Sequence, residues 1–319
     1  MSEIKKIATR DSYGEALAEL GNIRKDMIVL DADLAAATKT GVFKKAHPDR
    51  HIDCGIAECN MMSIAAGLAS TGKLVYASTF AMFAAGRAFE QVRNSIGYPN
   101  LPVKIGATHG GMSVGEDGAS HQCNEDIALM RTIPGMTIIN PADHIEAKKA
   151  VFAAADINGP VYMRFGRLAV PVIFDESYDF KVGKGIKMTD GKDVAIIANG
   201  IMTGITIEAA EQLKNEGISA MVINMATVKP LDTELVLHAA KTAKAIVVAE
   251  EHSIIGGLGG AIAEYLSETR PTPVLRIGAE DTFGMSGAAP ELLKYYGMSS
   301  ENIVCKCKQA IKMTVVNKV

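Results

Sequence analysis

The sequence predicts an α/β protein of two consecutive three-layer domains, each a mostly parallel sheet between helices. Three observations carry that prediction. Short β-rich apolar runs alternate with longer helical patterns, as repeated βαβ units require. One polar, turn-rich stretch interrupts the alternation, and a second alternating series follows it. A length of 319 residues, 48% hydrophobic and 22% charged, suits two packed cores rather than one and lacks any signature of disorder.

The elements follow in order. Strands are expected at 27–33 (MIVLDAD), 73–79, 102–108, 136–142 and 160–165. Helices are expected between them at 12–24, 59–71, 81–96, 125–133 and 143–156. The third ends near Tyr98-Pro99-Asn100, because proline cannot continue a helix. Residues 1–170 form the first expected domain, 171–188 a connection and 189–319 the second domain. That second series runs through DVAIIANG, a helix at 203–215, SAMVINMA, a helix at 231–241, AKAIVVAEE, a helix at 257–267 and PVLRIGA. No fixed-period repeat is visible.

Composition excludes several functions. Lys and Arg number 33 against 36 Asp and Glu, a net charge of −3, so no basic footprint for nucleic acid or an anionic membrane surface exists. The opening MSEIKKIATR has no apolar run of the secretory type. The longest charge-free apolar stretch, between Lys73 and Arg87, falls short of the roughly 18 residues a membrane helix needs. Five cysteines without a CxxC pair suggest neither a disulfide framework nor zinc. The expectation is a soluble, cytoplasmic protein.

Four segments carry candidate chemistry. In GIAECNM (55–61), Glu58 stands where a strand hands over to a helix. It either caps that helix or is a partly buried carboxylate exchanging a proton or hydrogen bond with a ligand. ATHGGMSVGEDGASHQ (107–122) follows a strand and gathers His109, Glu116, Asp117 and His121 within one glycine-rich loop, where open α/β sheets place ligands. In STFAMFAAGRAF, Phe80 and Phe83 share a helical face, commonly a core pair, but here flanked by Ala and Gly that leave room for a flat ligand. GGLGG (256–260) lacks the third glycine of the dinucleotide fingerprint and reads as close helix–strand packing.

In order and spacing, these segments resemble the C-terminal half of transketolase, the thiamine-diphosphate enzyme that moves two-carbon ketol units between sugar phosphates. GIAECNM matches the family's GI-x-E-x-x-M, STFAMF its TF-x-x-F, and ATHGGMSVGEDGASHQ its TH-x(5)-GEDG-x-THQ. The resemblance implies a pyrimidine-binding domain followed by the family's C-terminal domain. It implies that Glu58 hydrogen-bonds N1′ of the aminopyrimidine, promoting the imino tautomer that deprotonates the thiazolium carbon. It also implies that Phe80 and Phe83 pack on the pyrimidine ring, with Asp33 near the cofactor. Asp117 would read a substrate hydroxyl, and His121 would lie beside the reacting carbons. His109, Arg10 and Arg167 would meet phosphate, Arg167 being the aligned choice although Arg164 is three residues away.

Three positions depart from the family pattern: Gly86 where a third aromatic often stands, Ala37 at a phosphate-contacting serine, and Cys59 after the glutamate. The chain also has no GDG followed by Asn, the family's grip on Mg²⁺ (or Ca²⁺) and diphosphate. The resemblance therefore implies one subunit of a split enzyme, with no metal ligand of its own. Its partner would carry the GDG…N domain in about 270–300 residues, in an α2β2 assembly with a contact between two copies of this chain. Competing readings are half of a 1-deoxyxylulose-5-phosphate synthase-like enzyme, a 2-oxo acid dehydrogenase β subunit, and a non-catalytic scaffold.

Overall fold

The computed structural model describes residues 5–316, with side chains described as far as Met313. The outermost residues of both expected domains, 1–4 and 317–319, lie outside it. The chain enters through β1 (Lys6–Ala8) and the helix Thr9–Ile23. The first sheet is then laid down as β2 (Met27–Asp31), β3 (His51–Asp53), β4 (Leu74–Phe80), β5 (Val103–Thr108), β6 (Thr137–Ile139) and β7 (Val161–Phe165). After β8 (Ala169–Pro171) come β9 (Ile186–Thr189), β10 (Val194–Ala198), β11 (Ala220–Asn224), β12 (Thr227–Lys229), β13 (Ile246–Ser253) and β14 (Val274–Ala279).

The first sheet has the order β12-β6-β7-β5-β4-β2-β3 and the second β14-β13-β10-β11-β9. All first-domain strands of the large sheet run parallel, and β2, β4, β5 and β7, buried along almost their whole length, are covered on both faces. One face packs the helices Thr9–Ile23 and His144–Ala155 through Tyr13, Leu17, Phe43, Ala147 and Phe165. The opposite face packs Glu58–Ser70 and the helical stretch after Phe80, and its core continues into the second domain through Ile197, Ile223, Leu258 and Ile262. A third core joins the far face of the second sheet to the helices Met202–Asn215 and Ser300–Val316.

Several local features differ from the expected elements. The helix expected at 81–96 is interrupted by two widened π turns, Phe83–Arg87 and Val92–Gly97. Ala88 N–H reaches back to the Phe83 carbonyl at 3.0 Å, a five-residue closure of the kind found at functional sites. The polar connection is not structureless: β8 pairs antiparallel with β1, and β9 forms the edge of the second sheet. β12, although it follows β11 in the second domain, pairs antiparallel with β6 of the first. The helices Ala289–Tyr295 and Ser300–Val316 were not marked by the sequence pattern.

GGLGG packs as expected. Leu258 and Gly259 N–H groups, at the start of the helix Leu258–Thr269, donate to Glu250 Oε2 and Oε1 at 2.7 and 2.8 Å. The side chain of Glu250 thus fills the anion position that a dinucleotide phosphate would need.

Candidate active site

All large-sheet strands of the first domain end on one edge, and the chain reverses its sideways progress there. From β2 it steps outward to β3, then returns across β2 to β4 and β5. The carboxyl ends of β2, β4 and β5 therefore flank a topological switch point, where open α/β sheets bind ligands. Phe80 ends β4, His109 follows β5, and Asp31 to Asp33 close β2. Glu58 arrives on the same edge after β3, as the first residue of its helix.

Glu58 is 1% exposed, and the positive end of its helix favours its charge. Arg87 Nη1 donates to Glu58 Oε2 at 2.7 Å, and no hydrogen bond from a described residue reaches Oε1. The same guanidinium lies 4.5 Å from the Phe83 ring centre. Phe83 and Phe80 are near-parallel, 16° apart with centres 5.8 Å distant. Phe80 in turn stacks on His109 at 3.8 Å, while His121 meets Phe83 edge-on at 5.5 Å. Glu58, Phe80, Phe83, His109 and His121 thus form one continuous cluster, joined by Arg87. Arg87 was missed in the sequence; the available signal was a lone cation in an Ala/Gly run, four residues after Phe83.

His109 is buried and takes a left-handed backbone (φ 57°). Burial, reinforced by Arg10 and Arg167, lowers its pKa to about 3. Arg10 Nη1 lies 2.9 Å from His109 Nε2 and Thr108 Oγ1 2.8 Å from Nδ1. A guanidinium only donates, so Nε2 accepts and the proton sits on Nδ1. Arg10 also donates to the Ala37 carbonyl at 3.3 Å, and its Nε is buried without a partner.

The glycine-rich loop is held by the second domain. Ser113 N–H donates to Glu251 Oε1 at 2.5 Å, and Gln122 Nε2 to the Met285 carbonyl at 3.0 Å. Gly118 (φ 75°) lies so close to Ser286 that a Cβ would meet its Oγ at 2.5 Å, so only glycine fits without strain. At the loop's surface, Arg167 donates to the Val114 carbonyl and faces Glu116 at 3.1 Å and Asp117 at 3.7 Å. Arg164 is different. It is buried against Asp126 at 2.8 Å and donates to the Cys123 carbonyl at 3.1 Å. Burial opposes its charge, but Asp126 and Glu251 outweigh burial and hold its pKa above the ordinary range.

Asp33 is exposed and left-handed (φ 59°), its N–H bound to Asp53 Oδ1 at 3.0 Å. The buried carboxylate of this segment is instead Asp31, which accepts from Thr38 Oγ1 at 2.6 Å, Thr40 Oγ1 at 2.8 Å and Leu34 N–H at 2.5 Å. Burial raises its pKa. Thr38 is therefore turned inward, toward Asp31. At Gly86, a Cβ would sit 2.2 Å from Met82 Cε; methionine fills the space beside this position. Cys59 Sγ donates to the Arg87 carbonyl at 3.4 Å, bracing the π turn. Among the described residues, no group of three or more His, Cys, Asp or Glu could hold a metal ion, and no helix is long and apolar enough to cross a membrane.

Family models match both halves: the transketolase pyrimidine-binding domain over residues 5–172 and the transketolase C-terminal domain over 183–303. The chain belongs to the transketolase family. It is 49% identical over 306 residues to the "Putative transketolase C-terminal section" of Methanocaldococcus jannaschii, covering 95% of this chain and 96% of that one. It is 39% identical to the transketolase of Mus musculus, covering 96% of this chain and 49% of that one. A solved structure titled "Split gene transketolase, inactive beta4 tetramer" is 50% identical with a TM-score of 0.91, covering 97% of this chain and 99% of that chain.

Transketolases depend on thiamine diphosphate. The residues present here fit its pyrimidine end: a buried carboxylate with one oxygen uncommitted and two near-parallel phenyl rings. The spare donors of Arg10, including its unpartnered buried Nε, suit an anion.

Proposed function

We propose that this chain is the C-terminal subunit of a split transketolase. It transfers a two-carbon ketol unit from a ketose phosphate to an aldose phosphate, and it acts only with a partner carrying the diphosphate-binding domain. The observation that carries this reading is the continuous cluster Glu58–Arg87–Phe83–Phe80–His109–Arg10, which runs from a buried carboxylate to an anion-ready guanidinium.

When bound, thiamine diphosphate supplies a nucleophilic carbon and an electron sink for breaking and making the C–C bond. Glu58 holds a proton or hydrogen bond at N1′ of its pyrimidine, and Phe80 and Phe83 pack on that ring. His121, at the mouth of the cluster, moves protons at the reacting oxygens. Asp117 reads a substrate hydroxyl. Arg10 and Arg167 bind the sugar phosphate. Both ring nitrogens of His109 are engaged, so this residue acts by orienting Arg10. Asp33 lies on the same edge as the cofactor's expected position.

The family half covered by this chain, about half of the mouse enzyme, supports dependence on a partner. That partner contributes the GDG…N grip on Mg²⁺ or Ca²⁺, in an α2β2 assembly with one contact between two copies of this chain. Five unpaired cysteines suit a reducing cytoplasm. The test is reconstitution with the partner, thiamine diphosphate and Mg²⁺. Xylulose 5-phosphate and ribose 5-phosphate should yield a seven-carbon and a three-carbon sugar phosphate. An assembled, cofactor-loaded pair that leaves those sugars unchanged and decarboxylates pyruvate would overturn the assignment.

A further inference from the structure

Arg87 makes two contacts that deserve comparison with those assigned to the pyrimidine. Its Nη1 donates to Glu58 Oε2 at 2.7 Å, and its planar cation lies 4.5 Å from the centre of the Phe83 ring. A nitrogen donor to the same carboxylate and a flat group on the same phenyl are also what the proposed cofactor site requires. A side chain built as a permanent clamp would be buried, as Arg164 is beside Asp126, both 3% exposed or less. Arg87 is instead 50% exposed. It donates one hydrogen bond from its side chain, to Glu58, and it springs from the π turn Phe83–Arg87. Glu58 is buried, but the Arg87 end of the pair stands half in water, which screens it, and the cation–π contact adds a small amount. The side chain is held, but lightly.

Resting on the transketolase reading above, we propose that Arg87 is a placeholder for the aminopyrimidine: it covers Glu58 and Phe83 in the free site and swings to solvent when the cofactor enters. It keeps the Glu58 carboxylate paired while the site waits. The cofactor then binds against a small internal competitor.

The experiment uses the complex with the partner subunit and Mg²⁺, titrated calorimetrically with thiamine diphosphate and, separately, with inorganic pyrophosphate. Arg87→Met should bind thiamine diphosphate about five-fold more tightly than the wild type, the scale set by one light ion pair and one cation–π contact. Pyrophosphate lacks the pyrimidine, so its affinity should stay unchanged or fall with the lost cation. Arg87→Gln, which keeps a polar side chain should methionine disturb the turn, should act in the same direction. Unchanged or weaker thiamine diphosphate binding in both variants overturns the placeholder and makes Arg87 a clamp on Glu58. Absence of binding in the wild type and the variants alike overturns the cofactor reading, and this inference with it.

Discussion

Arg10 donates to His109 Nε2 across 2.9 Å, and that bond fixes the histidine as the neutral Nδ1–H tautomer. The folded pKa near 3 lies below the ordinary histidine value of about 6.5. Between these values the unfolded chain binds a proton that the folded chain does not, so stability is present above about pH 6.5 and is lost as pH falls toward 3. The loss approaches about 1.4 kcal/mol per pH unit. Ring ¹⁵N spectra should show a neutral His109 at pH 5, and urea unfolding of His109→Gln should have a shallower acid slope. An imidazolium signal at pH 5 refutes the tautomer.

Replacing Glu58 by Gln keeps its size and one acceptor but removes the charge that meets Arg87. Turnover of the reconstituted enzyme should fall by about 10²–10⁴-fold, the usual worth of a placed proton-handling group. Arg87 is half exposed, so hydration replaces its partner and assembly by sedimentation should be unchanged. Near-normal turnover would remove Glu58 from the mechanism.

The two neighbouring arginines should separate by assay. Arg164→Met strands Asp126, which is fully buried, and should destabilise the chain by about 3–5 kcal/mol. Arg167→Met breaks contacts with exposed Glu116 and Asp117 and should cost no more than about 1 kcal/mol, while raising KM for phosphorylated sugars. Denaturant midpoints and steady-state kinetics on both variants check the pair; equal stability losses would contradict it.

Glu146 ties three segments together. It accepts from Ala142 N–H, Tyr178 Oη and Asn224 Nδ2, each at 2.7 Å, joining a first-domain helix, the connection and β11. Burial lifts its pKa to about 7. The folded chain therefore holds a proton that the unfolded chain releases above about 4.5, and this contribution to stability is lost as pH rises through 7. Unfolding at pH 5.5 and 8 should show that loss in the wild type and a smaller one in Glu146→Gln. An equal difference in both would assign the pH effect elsewhere.

The alternation of strands and helices was legible because period and length distinguish buried strands from helices when runs are long. β1, β8 and β12, each three residues long, carry too little pattern to be seen. The helix Ser300–Val316 mixes Lys306, Lys308 and Lys312 with Ile303 and Cys307, an amphipathic stripe that the earlier strand pattern did not announce. At the site, motif spacing located Glu58, Phe80, Phe83, His109 and His121, which the fold brings together. It could not show that Arg87 bridges two of them, since that depends on a π turn with no fixed sequence mark. Nor could it show that Asp31 is the buried carboxylate of its segment and Asp33 an exposed one, because that follows from which side chain the β2 terminus turns inward.

β12 has a practical consequence for handling the protein. The second domain lends this strand to the first, where Thr227 and Lys229 pair with Ile139 and Ile138, and Lys229 Nζ donates to the Arg131 and Ile133 carbonyls at 2.9 and 2.7 Å. A fragment cut in the connection at 171–188 would leave β6 an open, apolar edge, the kind that recruits other chains into aggregates. Pieces divided at that seam should therefore aggregate where the whole chain does not.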